Sequence, residues 1–360
     1  MKADLIPGLC LAIAVMLLSM LATLAVGHFL PWEKNPLSPM LVAIILGMMI
    51  RTTVPLPKSF DPGIAFGIRR LLRLGIILMG IRLSIFSVLE IGLLALGMVV
   101  LCIVTALAAT IFVSRKLGVS DKLGTLIAAG TSICGVSAIV ATSPAIGAKE
   151  EETAYAVGTI TIFGILATIA YPYLTELVMH LPVTSAGFFL GTSIHDTSQV
   201  TAASLVYDQL WSLKTATGIT GADIAITTKL VRNTFMIVVI PFLGFRAGRK
   251  NARGDTGPGI RIMKYVPLFV FGYIAMGIAR TLGDHFFGGD SLAWTGTWHA
   301  VKMVATYSIS VAITCVGLST DIRKLSTLGY RSFVCGLVAA LSVGIVSWLL
   351  VTQLGSYLTL

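Results

Sequence analysis

The chain has 360 residues, of which 56% are hydrophobic and only 12% charged, about half the charged share of an ordinary soluble domain. With a mean hydropathy of +0.92 and apolar runs along its whole length, it excludes a soluble globular protein, a disordered chain and a coiled coil. The net charge of +10 would suggest nucleic acid in a soluble chain. Here the basic residues sit in short breaks between apolar runs, where a bilayer accounts for them and no nucleic acid is needed.

The reading is an all-α polytopic membrane protein with about eleven transmembrane helices. The candidate spans are 5–29, 38–51, 70–88, 91–113, 122–147, 153–178, 184–206, 218–245, 265–282, 298–320 and 331–353. The first is longer than a signal-peptide core and reads as an uncleaved helix. The second is short and is followed by Pro55, Pro57 and Pro62. The longest connections are the arm from Arg51 to Arg69 and the polar loop from Gly248 to Arg261. All five cysteines (Cys10, Cys102, Cys134, Cys315 and Cys335) lie inside apolar segments without metal-ligand spacing, and read as reduced packing residues.

Cytoplasmic loops carry the excess of Lys and Arg. With strict alternation and the N-terminus inside, 18 of the 26 Lys and Arg fall inside, six outside, and Lys229 and Arg232 within a span. This orientation puts the C-terminus, and the acidic run Glu150-Glu151-Glu152, outside.

Two internal echoes stand out. Gly130-Thr-Ser-Ile-Cys-Gly-Val-Ser through Ala145 matches Gly191-Thr-Ser-Ile-His-Asp-Thr-Ser through Val206 at 7 of 16 positions. A weaker one pairs Gly80–Gly92 with Gly317–Gly329. Internal repeats with Gly-interrupted helices near the bilayer centre point to secondary-transporter architecture.

The chemistry gathers at these interruptions. Gly130, Thr131, Ser132 and Gly135 make a poor continuous helix, as do Gly191, Thr192 and Ser193. A break there exposes N–H groups and the positive end of a half-helix, which suits an anion. The alternative is close helix packing by small residues. His195 and Asp196 fall near the middle of their span, where ionisable groups are costly and functional by default. Lys229 and Arg232 follow at i and i+3 on the next span. Two cations and one carboxylate leave a net positive pocket, with Thr197, Ser198 and Gln199 as neutral hydrogen-bond donors. The competing reading is a buried ion-pair network, Asp196 with Lys229 or Arg232, that only fixes packing. The expected substrate-binding set is Lys229, Arg232, Gly130, Thr131, Ser132, Gly135, Thr192, Ser193 and Gln199, with His195 and Asp196 as coupling groups. No metal site, cofactor or nucleotide-binding loop is expected.

These motifs, with Leu74-Gly-Ile-Ile-Leu-Met-Gly-Ile-Arg-Leu-Ser84, Lys229-Leu-Val-Arg232 and Gly317-Leu-Ser-Thr-Asp321, resemble the YeiH family of bacterial inner-membrane proteins, whose members are named as sulfate exporters. The resemblance runs over nearly the whole chain. It implies the broader cation/proton antiporter and anion transporter group, with inverted repeats at 36–180 and 184–355 and crossed, broken helices at the fifth and tenth spans. The Gly130 and Gly191 echo instead pairs the fifth and seventh spans, which run in the same direction under strict alternation.

The reading is therefore a single transporter domain in a bacterial inner membrane, exporting a small anion such as sulfate or a related sulfur oxyanion or sulfonate. Proton or sodium is the coupling ion, and the lipid bilayer and a homodimer are the expected partners. The rivals are a proton- or sodium-coupled organic acid carrier, an accessory membrane subunit, and an intramembrane enzyme. The enzyme is disfavoured because adjacent helical residues point about 100° apart, so His195 and Asp196 form no orienting pair.

Overall fold

The computed structural model describes residues 3–29, 38–250, 268–288, 291–321, 323 and 329–355. Its helices in chain order are α1 (Ile6–Phe29), α2 (Pro39–Thr53), α3 (Asp61–Phe66), α4 (Leu72–Met79), α5 (Ile85–Lys116), α6 (Asp121–Ser132) and α7 (Val136–Ala145). There follow α8 (Glu150–Leu177), α9 (Val183–Ser193), α10 (Thr197–Trp211), α11 (Gly221–Thr234), α12 (Met236–Lys250), α13 (Leu268–Phe287), α14 (Leu292–Ser319) and α15 (Tyr330–Gln353). Among the described residues the only β pairing is an isolated bridge between Lys214 and Thr220. Among the described residues six spans are long and apolar enough to cross a membrane. Along α5 the residues Phe86, Leu89, Leu93, Leu96, Val100 and Val104 are all exposed. Their i+3 and i+4 spacing makes one apolar outer stripe, which only a hydrocarbon surround tolerates. The protein is an all-α polytopic membrane protein.

The chain divides into two compact units. The first comprises residues 1–90, 204–223 and 268–326, and the second 91–203, 224–267 and 327–360. In the first, Ala12, Met16, Ile64, Val311, Cys315 and Leu318 form a core beneath α1, α3 and α14. The arm expected from Arg51 to Arg69 is largely helical: α3 starts at Asp61 with Pro62 in its first turn and runs through a π-helical turn, Gly67–Leu71, into α4. Proline is disruptive inside a helix but suits its first turn, so Pro55 and Pro57 break the chain and Pro62 restarts it. The third segment is shifted accordingly. It ends at Arg82, and α5 begins at Ile85, where the sequence reading had carried the helix to residue 88. Also in this unit, Arg82 Nε pairs with Asp223 at 3.0 Å and its Nη2 donates to Thr220 at 3.0 Å. The Ala222 N–H donates to Asp208 at 3.1 Å. These contacts fix the turn joining α10 to α11.

The second unit contains α6–α7 whole and α9–α10 as far as Ala203. Ser120 donates to Glu152 at 2.6 Å, Lys122 to the Gly147 carbonyl at 2.5 Å, and the hydroxyls of Ser143 and Thr153 lie 2.7 Å apart. The start of α6, the end of α7 and the start of α8 are thus together, and α6–α7 is a re-entrant hairpin. The α9–α10 segment is its counterpart. α9 starts beside the far end of α8, where the rings of Tyr171 and Phe189 are 5.1 Å apart. The α11–α12 span, Gly221–Ala247, ends with Ala247 packed on the cluster of Leu126, Ile127 and Ile146 along with Leu117 and Ala148, at the face where α6 begins. Its start therefore lies at the opposite face, from which α9 enters, and the turn that follows α10 leads into it.

Two of the eleven expected crossings are instead hairpins directed inward from opposite faces. Hydropathy registers only the length of an apolar run, and a hairpin walled by other helices is as apolar as a crossing. Three expectations change with this. The Glu150-Glu151-Glu152 run sits on the same face as Lys122, where it occupies the first turn of α8 and Glu152 accepts from the Lys149 N–H at 3.0 Å. The fifth and seventh segments, parallel under strict alternation, are oppositely directed. The tenth, α14, is one continuous helix, so the broken pair is the fifth and seventh. Of the loop expected from Gly248 to Arg261, residues 251–261 lie outside the described residues.

Candidate functional site

The two hairpin tips are built alike. α6 stops at Ser132 and α7 starts at Val136, while α9 stops at Ser193 and α10 starts at Thr197. In the echo's own alignment these stops and starts coincide residue for residue. At the first tip Gly135 takes φ +64 and ψ −124, a region that only glycine enters without strain. A Cβ on Gly135 would also sit 2.9 Å from Asp196 Oδ2. The two tips meet at this Gly135–Asp196 contact.

The ends of α6 and α9 present their last carbonyls to two cations from α11. Lys229 and Arg232 are completely buried. Lys229 Nζ donates to Ile133 O and Ile194 O, both at 2.8 Å, and to His195 O at 2.5 Å, which engages all three of its N–H groups. Arg232 donates from Nε to Ser132 O at 2.8 Å, from Nη1 to Thr192 O at 2.6 Å, and from Nη2 to Thr131 O. Ile133 and Ile194 are equivalent positions of the echo, and so are Thr131 and Thr192, so each cation bridges matching carbonyls from both hairpins. Each helix C-terminus carries about half a negative charge. Two such ends and Asp196 balance the two cations, so the net positive pocket expected from side chains alone is largely offset by backbone. The expected ion pair of Asp196 with Lys229 or Arg232 is absent among the described residues.

Asp196 instead caps α10. Its Oδ1 accepts from the Ser198 N–H at 2.9 Å and from the Ser198 hydroxyl at 2.5 Å, and its own N–H donates to Gln199 Oε1 at 3.3 Å. This is a capping box, with a carboxylate against the positive helix end. Asp196 and Thr197 are half-buried, and Ser137 in the first turn of α7 is exposed. Gly135, the residue before α7, offers no side-chain cap, and the Ala138 N–H in the first turn meets the Cys134 sulfur. The two positive helix ends therefore differ: one is capped by a carboxylate, and the other by no charged side chain.

The remaining expected residues fall around this centre. The hydroxyls of Thr131, Ser132, Thr192 and Ser193 turn back to carbonyls of their own helices, so the tips offer backbone groups. Gly130 packs on Ile139 and Ile160, and Gly191 on Ala225 and Thr228. Gln199 lies on Gly164, with Nε2 donating to Thr161 O at 3.4 Å. His195 is walled in at 2% exposure, and its Nδ1 has no hydrogen-bond partner. The sequence reading missed Asn233, whose Nδ2 donates to Thr197 Oγ1 at 3.1 Å and whose buried Oδ1 has no partner. Its place directly after Arg232 was the available signal. Among the described residues no group of His, Cys, Asp and Glu is arranged to hold a metal ion.

A polytopic helical membrane protein with paired re-entrant hairpins is thus the class that fold and site define. The family model described as "Conserved hypothetical protein 698" matches residues 7–336. The chain belongs to this family, the one its motifs resembled. It is 30% identical over 331 residues to a UPF0324 membrane protein of Corynebacterium glutamicum, covering 91% of this chain and 86% of that one. A UPF0324 membrane protein of Fusobacterium nucleatum is 27% identical over 329 residues, covering 89% and 91%. Another, of Streptococcus agalactiae serotype V, is 28% identical over 354 residues and covers 98% of both chains.

Proposed function

We propose that the protein is a secondary transporter of a small anion, working in a bacterial inner membrane with its N-terminus in the cytoplasm and its C-terminus outside. The observation that carries this reading is the meeting of two oppositely directed hairpins at Lys229 and Arg232. Broken backbone at membrane depth persists where protein or a wet cavity satisfies it, and opposed half-helices at the midplane suit a site reached alternately from each face.

In this reading the anion sits at the start of α7, by Ser137 and Gly135, with Lys229 and Arg232 holding the tips and balancing charge. Asp196 Oδ2 adjoins the same spot. An ionised Asp196 repels the anion, and a protonated one admits it, so proton and anion binding strengthen each other by the same factor. Of the two coupling groups expected from sequence, Asp196 has access and His195 is enclosed. The resemblance suggests sulfate, a related sulfur oxyanion or a sulfonate as cargo, and export as direction. A proton- or sodium-coupled organic acid carrier is the second reading. The observation favouring it is the oxygen set of Asp196, Thr197 and the unpartnered Asn233 Oδ1, which suits a hard cation.

The test is flux into proteoliposomes with labelled sulfate, sulfite, thiosulfate and taurine. At least one should be carried saturably and faster at acidic pH, and Asp196→Asn, which retains a good helix cap, should flatten the pH profile. Failure of all four under both proton and sodium gradients would remove the anion reading.

A further inference from the structure

On the outer surface of the second unit, α5 and α12 border an open groove of about 720 Å³. Its floor and walls are apolar, with Val104, Leu107, Ile111 and Phe112 from α5 facing Phe242 from α12. Val104, Phe112 and Phe242 are all more than half exposed. One end is basic: Arg115 and Lys116, in the last turn of α5, and Arg246 of α12 close it. Among the described residues none of the three pairs with a carboxylate, and the Lys116 ammonium lies 4.8 Å over the Phe112 ring, leaning back across the groove. From Val104 to Lys116 the helix rises about 18 Å, close to the roughly 15 Å depth of one hydrocarbon leaflet.

We propose that this groove is a binding site for an anionic phospholipid of the adjoining leaflet. The lipid phosphate sits among Arg115, Lys116 and Arg246, and an acyl chain lies along α5 between Phe112 and Phe242. Charge complementarity selects this occupant. Three cations with no acidic partner among the described residues meet one phosphodiester, whereas the ammonium of a zwitterionic head group would be pushed away by the same cations. The apolar stripe and the basic end share one helix face at i+3 and i+4 spacing, so a molecule that is apolar over one leaflet's depth and anionic at its surface matches both at once.

The experiment uses the full chain in mild detergent doped with phosphatidylglycerol or phosphatidylcholine, with bound lipid counted by native mass spectrometry and unfolding followed by thermal melting. The wild type is expected to retain phosphatidylglycerol with about tenfold preference and to melt higher with it. The triple variant Arg115→Gln, Lys116→Gln, Arg246→Gln should lose that preference while keeping its phosphatidylcholine complement and a monodisperse profile. If the triple variant does not fold, Arg246→Gln alone is read for a partial loss. The proposal is overturned if the wild type shows no preference or the variant keeps it. It is equally overturned if inorganic phosphate raises the melting temperature as much as the lipid does. A variant that changes only oligomeric state, with lipid retention intact, would assign the groove to a second copy of the chain and overturn it too.

Discussion

Lys229 and Arg232 do their visible work on backbone. Arg232→Gln would leave at least one of the carbonyls of Thr131, Ser132 and Thr192 buried without a donor, and each such group costs about 1–3 kcal/mol. The expected result is a lower melting temperature in detergent, with Arg232→Lys recovering only part, because an ammonium lacks the planar fork that reaches both tips. Unchanged melting with lost anion affinity would show instead that Arg232 serves the cargo directly. Gly135→Ala is expected to damage the tip as well. Its φ of +64 costs a residue with a side chain about 1–3 kcal/mol, and the new methyl would meet Asp196 Oδ2. Thermal melting and the flux assay should both fall in this variant.

The hairpins belong to the scale of elements, and there the decisive contact is Ser120 with Glu152. A Ser120→Cys, Glu152→Cys pair should be bridged by a short bifunctional thiol crosslinker, because the native side chains already touch at 2.6 Å. Were α6–α7 a true crossing, these positions would lie on opposite faces and no link could form. The sequence was informative here in an unequal way. The Gly-Thr-Ser-Ile echo pointed to both breaks, which fall at residues 133–135 and 194–196, just past the clustered Gly, Thr and Ser that weaken helical bonding. It could not say that each chain turns back, because the turn depends on the packing of α8 around it.

At the scale of the whole molecule, turning two crossings into two hairpins removes two passes and so preserves the parity of the chain. In the orientation proposed above the N-terminus stays inside and the C-terminus outside, and Lys149 joins the inside set, giving 19 basic residues inside against 5 outside among the 26. Glu151→Cys should accordingly react with a membrane-impermeant thiol reagent only from the cytoplasm, and Ser212→Cys only from outside. Labelling of both from one face of intact cells would refute the hairpin pair.

Composition and hydropathy by themselves determined that this is a helical membrane protein, because the cost of apolar surface in water and of charge in lipid is a property of residues summed along a chain. The motifs likewise determined the family, and the midplane set His195, Asp196, Lys229 and Arg232 was legible because charges there are rare. Where those charges point depends on tertiary packing. The two cations face helix ends contributed by other segments, Asp196 caps its own helix, and Asn233 joins them from the next position. The negative ends that balance Lys229 and Arg232 are carbonyl dipoles, which every residue carries and no sequence displays.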